Sequence, residues 1–134
     1  MTEAVLIADD HPLFRQALAL AVARIVPDAQ VLEAGTLAAA ARIAAEVEGL
    51  RLILLDLKMP GAVGYSGIAL LHAECPQVPI LVVSSAEGAA AAEEARAFGA
   101  IGFLAKDSPL DVIEAAIKTA LSGGRQAIRQ AARP

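Results

Sequence analysis

Apolar and polar positions along the chain fall into two alternating textures. Short runs dense in branched aliphatic residues occur at Ala4–Ala8, Arg51–Leu57, Pro79–Val83 and Ile101–Leu104, with a weaker run at Gln30–Ala34. Between them lie longer alanine-rich stretches with helical spacing: Pro12–Val26, Leu37–Val47, Gly67–Glu74, Ala89–Phe98 and Pro109–Leu121. The runs are too short for helices, and their near-continuous hydrophobicity is that of strands buried on both faces. A β-α alternation repeated five times predicts an α/β fold, a parallel sheet doubly wound with helices on both faces.

Punctuation supports these boundaries. Pro12 and Pro109 each suit the first turn of a helix. Ser108 is placed to cap the second of these helices, and Asp111 adds negative charge to its first turn. Gly99 follows Ala97 and Phe98 as a helix stop. Pro76 and Pro79 bracket the turn into the fourth strand. The small residues from Ala62 to Gly67 leave the start of the third helix open. After Gly123 and Gly124 the remaining residues are basic and lack an apolar face, which divides the chain into a domain over 1–122 and a tail or truncated linker over 123–134.

Composition narrows the class. At 134 residues the chain is one domain, long enough to bury a core without disulfides or metals as staples. Hydrophobic residues make up 57%, and alanine alone is roughly a quarter of the chain, so helix is favoured. The net charge of −4 argues against gripping a phosphate backbone. With no Trp, one Tyr and three Phe, stacking platforms for single-stranded nucleic acid are not expected either. The single cysteine, Cys75, excludes an intramolecular disulfide framework and a Cys-rich zinc site, and fits a reducing cytosol. Mean hydropathy is +0.58. Yet Arg15, Arg24, Arg42 and Arg51 interrupt the apolar runs, and none reaches the roughly 18 residues a spanning helix needs. Met1, Thr2 and Glu3 supply no basic n-region, so no signal peptide is expected.

Candidate chemistry follows from the fold class. In open parallel α/β sheets, ligands bind beyond the carboxyl ends of the strands. The first strand ends in Asp9 and Asp10, the third in Asp56, the fourth in Ser84 and Ser85, and the fifth just before Lys106. Three carboxylates, a hydroxyl and an ammonium therefore converge on one rim. Packed carboxylates repel unless a cation is present, and a hard divalent ion such as Mg2+ suits a site with few carboxylates and several waters. Asp56 is then a candidate nucleophile toward phosphorus, with Lys106 and Ser84 offsetting charge on the phosphoryl oxygens. Each residue alone has an ordinary reading: an Asp at a strand end is a turn or cap residue, and Lys106, Asp107 and Ser108 are a loop with a cap. The joint placement is what favours a site. His11 adjoins the acid pair, with a metal role only its lesser reading, and a surface or packed structural role is the default for His72. Cys75 reads as a plain thiol, Tyr65 as a surface or partner-facing residue, and Glu93, Glu94 and Arg96 as a solvated helix face. Neither GxGxxG nor GxxxxGK[ST] occurs.

These residues resemble the receiver domain of bacterial two-component response regulators. The segments that carry the resemblance are Val5 to Arg15, Leu54 to Gly61, Val82 to Ala86 and Gly99 to Asp107, and it extends over Ala4 to Leu121. The Asp-Asp-His-Pro-Leu-Phe-Arg opening and the Gly-Phe-Leu-Ala-Lys-Asp close are most similar to the NarL/FixJ (LuxR-type) subfamily. The resemblance implies a flavodoxin-like fold with strand order 2-1-3-4-5. It implies that Asp56 accepts a phosphoryl group from a sensor histidine kinase. It implies that Asp9, Asp10 and Asp56 hold Mg2+ with the backbone carbonyl of Lys58, that Ser84 is the switch hydroxyl with Phe103 its coupled aromatic, and that Lys106 contacts the phosphoryl group. A cytoplasmic protein follows, one that catalyses only its own phosphorylation and dephosphorylation. A homodimer formed on phosphorylation and DNA bound through a separate helix-turn-helix domain follow too, with no membrane partner. Small departures are Ser84 where Thr is common, Ser85 where Ala is common, and Phe103 without a hydroxyl. Lys58 and Ala86 flank the site and are placed to tune hydrolysis.

Two other classes compete. A pseudo-receiver would bind partners without phosphorylation, but the acceptor, acid pair and lysine are all present. A haloacid-dehalogenase-type phosphatase would place its nucleophile after the first strand with a second acid two residues on. Asp56-Leu57-Lys58 lacks that acid.

Overall fold

Ten elements alternate along the chain in the computed structural model, which describes residues 3–85 and 89–131. In order they are β1 (Ala4–Ala8), α1 (Pro12–Ile25), β2 (Gln30–Ala34), α2 (Leu37–Glu46) and β3 (Leu50–Leu55). They continue with α3 (Ser66–Glu74), β4 (Ile80–Ser84), α4 (Ala89–Ala97), β5 (Gly102–Ala105) and α5 (Leu110–Ala131). The five strands form one parallel sheet in the order β2-β1-β3-β4-β5. The expected α/β class and strand order hold.

Strand periodicity divides the core in two. Val5, Ile7, Leu52, Leu54, Leu81 and Val83 point to one side of the sheet, where α1 and α5 cover them through Leu18, Val22, Ile113 and Ile117. Leu6, Ala8, Ile53, Leu55, Ile80 and Val82 point to the other, under α2 and α3, through Ala40, Ala44, Ile68 and Leu71. Successive side chains alternate faces, so a strand covered on both must be apolar at every position. At roughly 1.5–3 kcal/mol per fully buried large aliphatic side chain, this double core is the main stabilising term.

Most boundaries shift by a residue from the sequence expectation, and four of the differences bear on the site or the chain's end. β3 stops at Leu55, so Asp56 and Leu57 lie just past the strand rather than within it. α3 begins at Ser66, one residue before Gly67, where the Ser66 hydroxyl donates to the Val63 carbonyl at 2.7 Å. Ser108 does not cap α5. The Pro109 carbonyl instead accepts from the Val112 and Ile113 N–H groups at 3.0 and 3.2 Å, which leaves Ser108 outside the helix. Finally, α5 runs through Gly123 and Gly124 to Ala131, so the backbone expected as a tail is helical that far. Once a helix is nucleated each added residue gains a hydrogen bond, and Gln, Arg and Ala propagate it readily. Ala86 and residues 132–134 lie outside the described residues.

α2 starts as its sequence dictates, with the Thr36 hydroxyl accepting from the Ala39 N–H at 3.1 Å. After α4 the chain reverses at Gly99, whose φ of +120° is available to glycine and strained for other residues. Its bare Cα faces the His72 ring.

Candidate functional site

The strand order reverses between β1 and β3, and there the carboxyl ends of neighbouring strands open a crevice. Ala8 pairs with Leu55 in the ladder, so the next residues, Asp9 and Asp56, emerge side by side. The Asp56 N–H donates to the Ala8 carbonyl at 2.9 Å, and the Asp9 N–H to the Ala34 carbonyl at 2.9 Å. Ser84 pairs with Ala105, and the Lys106 N–H donates to the Ser84 carbonyl at 3.0 Å, which brings hydroxyl and ammonium to the same rim.

The side chains converge. Asp9 and Asp56 are buried, at 1% and 2% exposure, and Ser84 is fully buried. Asp56 Oδ1 accepts from the Ser84 hydroxyl at 3.0 Å and from the Lys58 N–H at 3.1 Å. Its Oδ2 accepts from Lys106 Nζ at 3.1 Å. Lys106 Nζ also lies 2.9 Å from Asp9 Oδ2. Burial pushes the Lys106 ammonium toward neutrality, but the Asp9 and Asp56 carboxylates outweigh it and raise its pKa above the ordinary lysine value. Phe103, on β5, is half-buried against the core beneath α2 and α3. Asp10 is partly exposed, and Lys58 is exposed on the turn after β3.

Asp9, Asp10 and Asp56 therefore share one pocket with Ser84 and Lys106, as their strand-end positions predict. Asp9, Asp10, Asp56 and His11 each offer a ligand atom, and these atoms lie within 4.8 Å of one another. Two of the carboxylate oxygens, Asp9 Oδ2 and Asp10 Oδ1, are buried without a hydrogen bond. Asp9 Oδ2 has the Lys106 ammonium 2.9 Å away as its ion partner. Buried acceptors without donors are costly, and an oxygen-seeking divalent cation satisfies them. The residues thus fit Mg2+.

Three participants lie beyond the strand-end residues. His11 turns Nδ1 inward, 3.2 Å from both Asp9 Oδ1 and Asp10 Oδ1 and 3.0 Å from Lys106 Nζ. Its backbone N–H donates to Asp9 Oδ1 at 2.8 Å, which fixes the turn into α1. Phe14 lies beneath Lys106, with Nζ 4.9 Å from the ring centroid. Arg15 donates to the Asp9 carbonyl at 2.6 Å and to Glu33 at 2.7 Å, tying α1 to the ends of β1 and β2. The available signal was helical spacing: Arg15 is four residues after His11, on the same side of α1.

Residues outside the pocket resolve as follows. Tyr65 is half-buried, with its ring stacked on Phe98 at a centroid distance of 5.8 Å. Cys75 donates to the Leu71 carbonyl at 3.3 Å. Burial, and then the Glu74 charge, push its thiol pKa up. Glu93, Glu94 and Arg96 are exposed. No helix among the described residues is long and apolar enough to cross a membrane.

Residues 5–118 match the response regulator receiver domain family. The glycerol metabolism activator of Pseudomonas putida is 39% identical over 119 residues, which cover 89% of this chain and 54% of that protein. The chain spans about half the length of this curated relative and of NarP from Escherichia coli, which is 30% identical over 90% of this chain. Among solved structures, the signal receiver domain of the NarL response regulator from Mycobacterium tuberculosis superposes with a TM-score of 0.75. It is 34% identical and the match covers 91% of this chain and 98% of that one.

Proposed function

The chain belongs to the response regulator receiver family, with NarL-type receivers among its relatives, and from that premise we propose that Asp56 is a phosphoacceptor served by a sensor histidine kinase. The observation that carries this reading is the Asp56 carboxylate itself. It is buried, yet all its hydrogen bonds come from groups able to follow a phosphoryl oxygen: Ser84, Lys106 and the Lys58 N–H.

In the transfer, an Asp56 oxygen attacks the phosphorus of a phosphoimidazole on the kinase. The new O–P bond forms as the N–P bond breaks, and the imidazole nitrogen leaves with the electron pair and takes up a proton. Lys106 offsets charge on one phosphoryl oxygen while the buried position of Asp56 excludes bulk water. Asp9, Asp10, Asp56 and the Lys58 carbonyl would hold Mg2+, which supplies positive charge to the remaining phosphoryl oxygens. Phosphorylation adds about −1.5 to −2 charges beside carboxylates already crowded together. The Ser84 hydroxyl, now spent on Asp56 Oδ1, turns to the new oxygens, and Phe103 moves into the space it leaves. A local charge event thereby biases a two-state surface at α4 and β5.

The activity is confined to the chain's own phosphorylation and dephosphorylation. The protein acts in the cytoplasm, and its altered face serves a homodimer and, through a separate DNA-binding output domain, transcription. A crystal structure of a Burkholderia pseudomallei response regulator that holds a phosphorylated aspartic acid and a calcium ion supports this reading by analogy. It is 30% identical, covers 98% of this chain and 75% of that one, and has a TM-score of 0.75.

Intact mass spectrometry after incubation with acetyl phosphate and Mg2+ tests it. One added phosphoryl group is expected, and none in Asp56→Asn or without the cation. A folded wild-type chain that gains no mass would make this a binding module that works unphosphorylated.

A further inference from the structure

The imidazole of His11 turns Nδ1 into the acid pocket, between carboxylates and an ammonium, so that either neutral tautomer gains one partner and faces one mismatched group. Nδ1 lies 3.2 Å from Asp9 Oδ1, 3.2 Å from Asp10 Oδ1 and 3.9 Å from Asp56 Oδ2, and also 3.0 Å from the Lys106 ammonium. With a proton on Nδ1, the ring donates to one carboxylate and turns that hydrogen toward an ammonium. Without it, the ring accepts from Lys106 while its lone pair faces two carboxylate oxygens. A cation that takes the lone pair and the carboxylates together removes the conflict.

The spacing is that of a coordination shell. Ligands about 2.1 Å from a metal lie roughly 3 Å apart when they meet at right angles and roughly 4 Å apart when opposite. The Nδ1-to-oxygen distances of 3.2, 3.2 and 3.9 Å fall in that span. A second observation points to the same occupant. Asp9 is 1% exposed, and Asp9 Oδ2 and Asp10 Oδ1 are buried without a hydrogen bond, with ion contacts to Lys106 and to His11.

We infer that His11 Nδ1 is a metal ligand of this pocket and shifts its preference from Mg2+ toward borderline first-row cations such as Co2+ and Zn2+. The inference rests on the divalent-cation site proposed above and adds its selectivity. Mg2+ takes oxygen ligands and parts reluctantly with water. Imidazole nitrogen suits Co2+, Ni2+ and Zn2+. Three carboxylates alone make a hard site, and one imidazole makes it a mixed nitrogen and oxygen site. The His11 side chain is 64% exposed, so the ring can settle on an entering ion without disturbing the core.

The test uses the full chain without an affinity tag, as wild type and His11→Ala, titrated calorimetrically with Mg2+ and with Co2+. The ratio of Co2+ to Mg2+ affinity is expected to fall at least about tenfold in the variant. The bond from the residue 11 N–H to Asp9 does not use the side chain, so the turn survives the substitution. Nitrogen NMR of the wild-type imidazoles gives an independent reading: Zn2+ should shift Nδ1 of His11 and leave His72 in place. An unchanged affinity ratio with an unmoved His11 resonance overturns the inference while Mg2+ binding stands. A wild-type chain that takes Mg2+ but not Co2+ overturns it as well. If the wild type takes neither ion, the cation site itself is wrong and the inference falls with it.

Discussion

At Lys106 burial and charge pull in opposite directions, and charge wins. The ammonium lies 2.9 Å from Asp9 and 3.1 Å from Asp56, with the face of Phe14 beneath it, and its pKa is raised. A folded-state pKa above the unfolded one gives stabilisation that is complete below the unfolded value and lost as pH rises through the folded value. Unfolding free energy is therefore expected to decline in the alkaline range above the ordinary lysine pKa, and the part due to this residue to vanish in Lys106→Met. Denaturant titrations at intervals from about pH 9.5 to about pH 12 check it, and identical slopes for the two proteins would refute it. The charged members of this site were legible because strand ends are legible. An apolar run that stops at Asp9, Asp56, Ser84 or just before Lys106 places that side chain on the rim whatever the details of the loops. His11 and Phe14 were not legible in the same way. Their directions depend on how the chain turns into α1, where His11 has φ −96° and ψ 105°, and periodicity does not encode that turn.

Elements differ in how firmly their sequences bind them to the sheet. α2 and α5 bury aliphatic or repeated alanine faces, whereas α4 is anchored among its described positions by Ala91 and Ala95. Its connection to β5 then depends on Gly99. A methyl group there would come within 2.9 Å of the His72 ring on α3, in a backbone with φ +120°. Gly99→Ala is expected to cost about 1–3 kcal/mol, partly backbone strain and partly the clash. A double-mutant cycle with His72→Ala separates the two, because only the clash is relieved when the ring is removed. A cycle with no coupling would mean that strain alone sets the cost. The stop at Gly99 was legible as punctuation, but its partner on α3 was not, since that contact joins residues distant in sequence. The end of α5 lies beyond the sequence expectation for a different reason. Two glycines after Ser122 mark a break by composition, yet the helical backbone continues to Ala131. Each glycine costs only about 1 kcal/mol in a helix interior, which a long run of good helix formers on either side offsets. Ser108 is a good capping residue beside a proline, but α5 starts one residue later than that capping position requires.

Across the whole molecule, a net charge of −4 is not spread evenly, because Asp9, Asp10 and Asp56 meet at one point with Lys106 as their close ammonium. The fold forces this concentration. Periodicity alone predicts five strands and five helices, while the reversal of strand order between β1 and β3, implied by the family resemblance, puts these acids at one crevice. Without a cation, Asp9 Oδ2 and Asp10 Oδ1 stay buried with ion contacts to Lys106 and His11 but no hydrogen bond, and three carboxylates crowd together, so the site opposes the stability that the two cores supply. Neutralising one acid should relieve that. Asp10→Asn is expected to raise the melting temperature of the cation-free chain, since the Asp10 side chain is partly exposed and its amide needs no new packing. A gain of about 1 kcal/mol corresponds to roughly 3–5 °C for a chain of this length. Saturating Mg2+ should reverse the order. A cation bound by the native state alone adds about 2.7 kcal/mol at a hundred times its dissociation constant. The wild type should gain most of that and Asp10→Asn much less. Thermal melts of both proteins, in chelator and in excess Mg2+, supply the four numbers. If the variant is less stable than the wild type in chelator, the pocket is not a site of charge strain, and Asp10 is held by contacts that the carboxylate geometry does not reveal. If it instead gains as much from Mg2+ as the wild type does, Asp10 is not among the ligands.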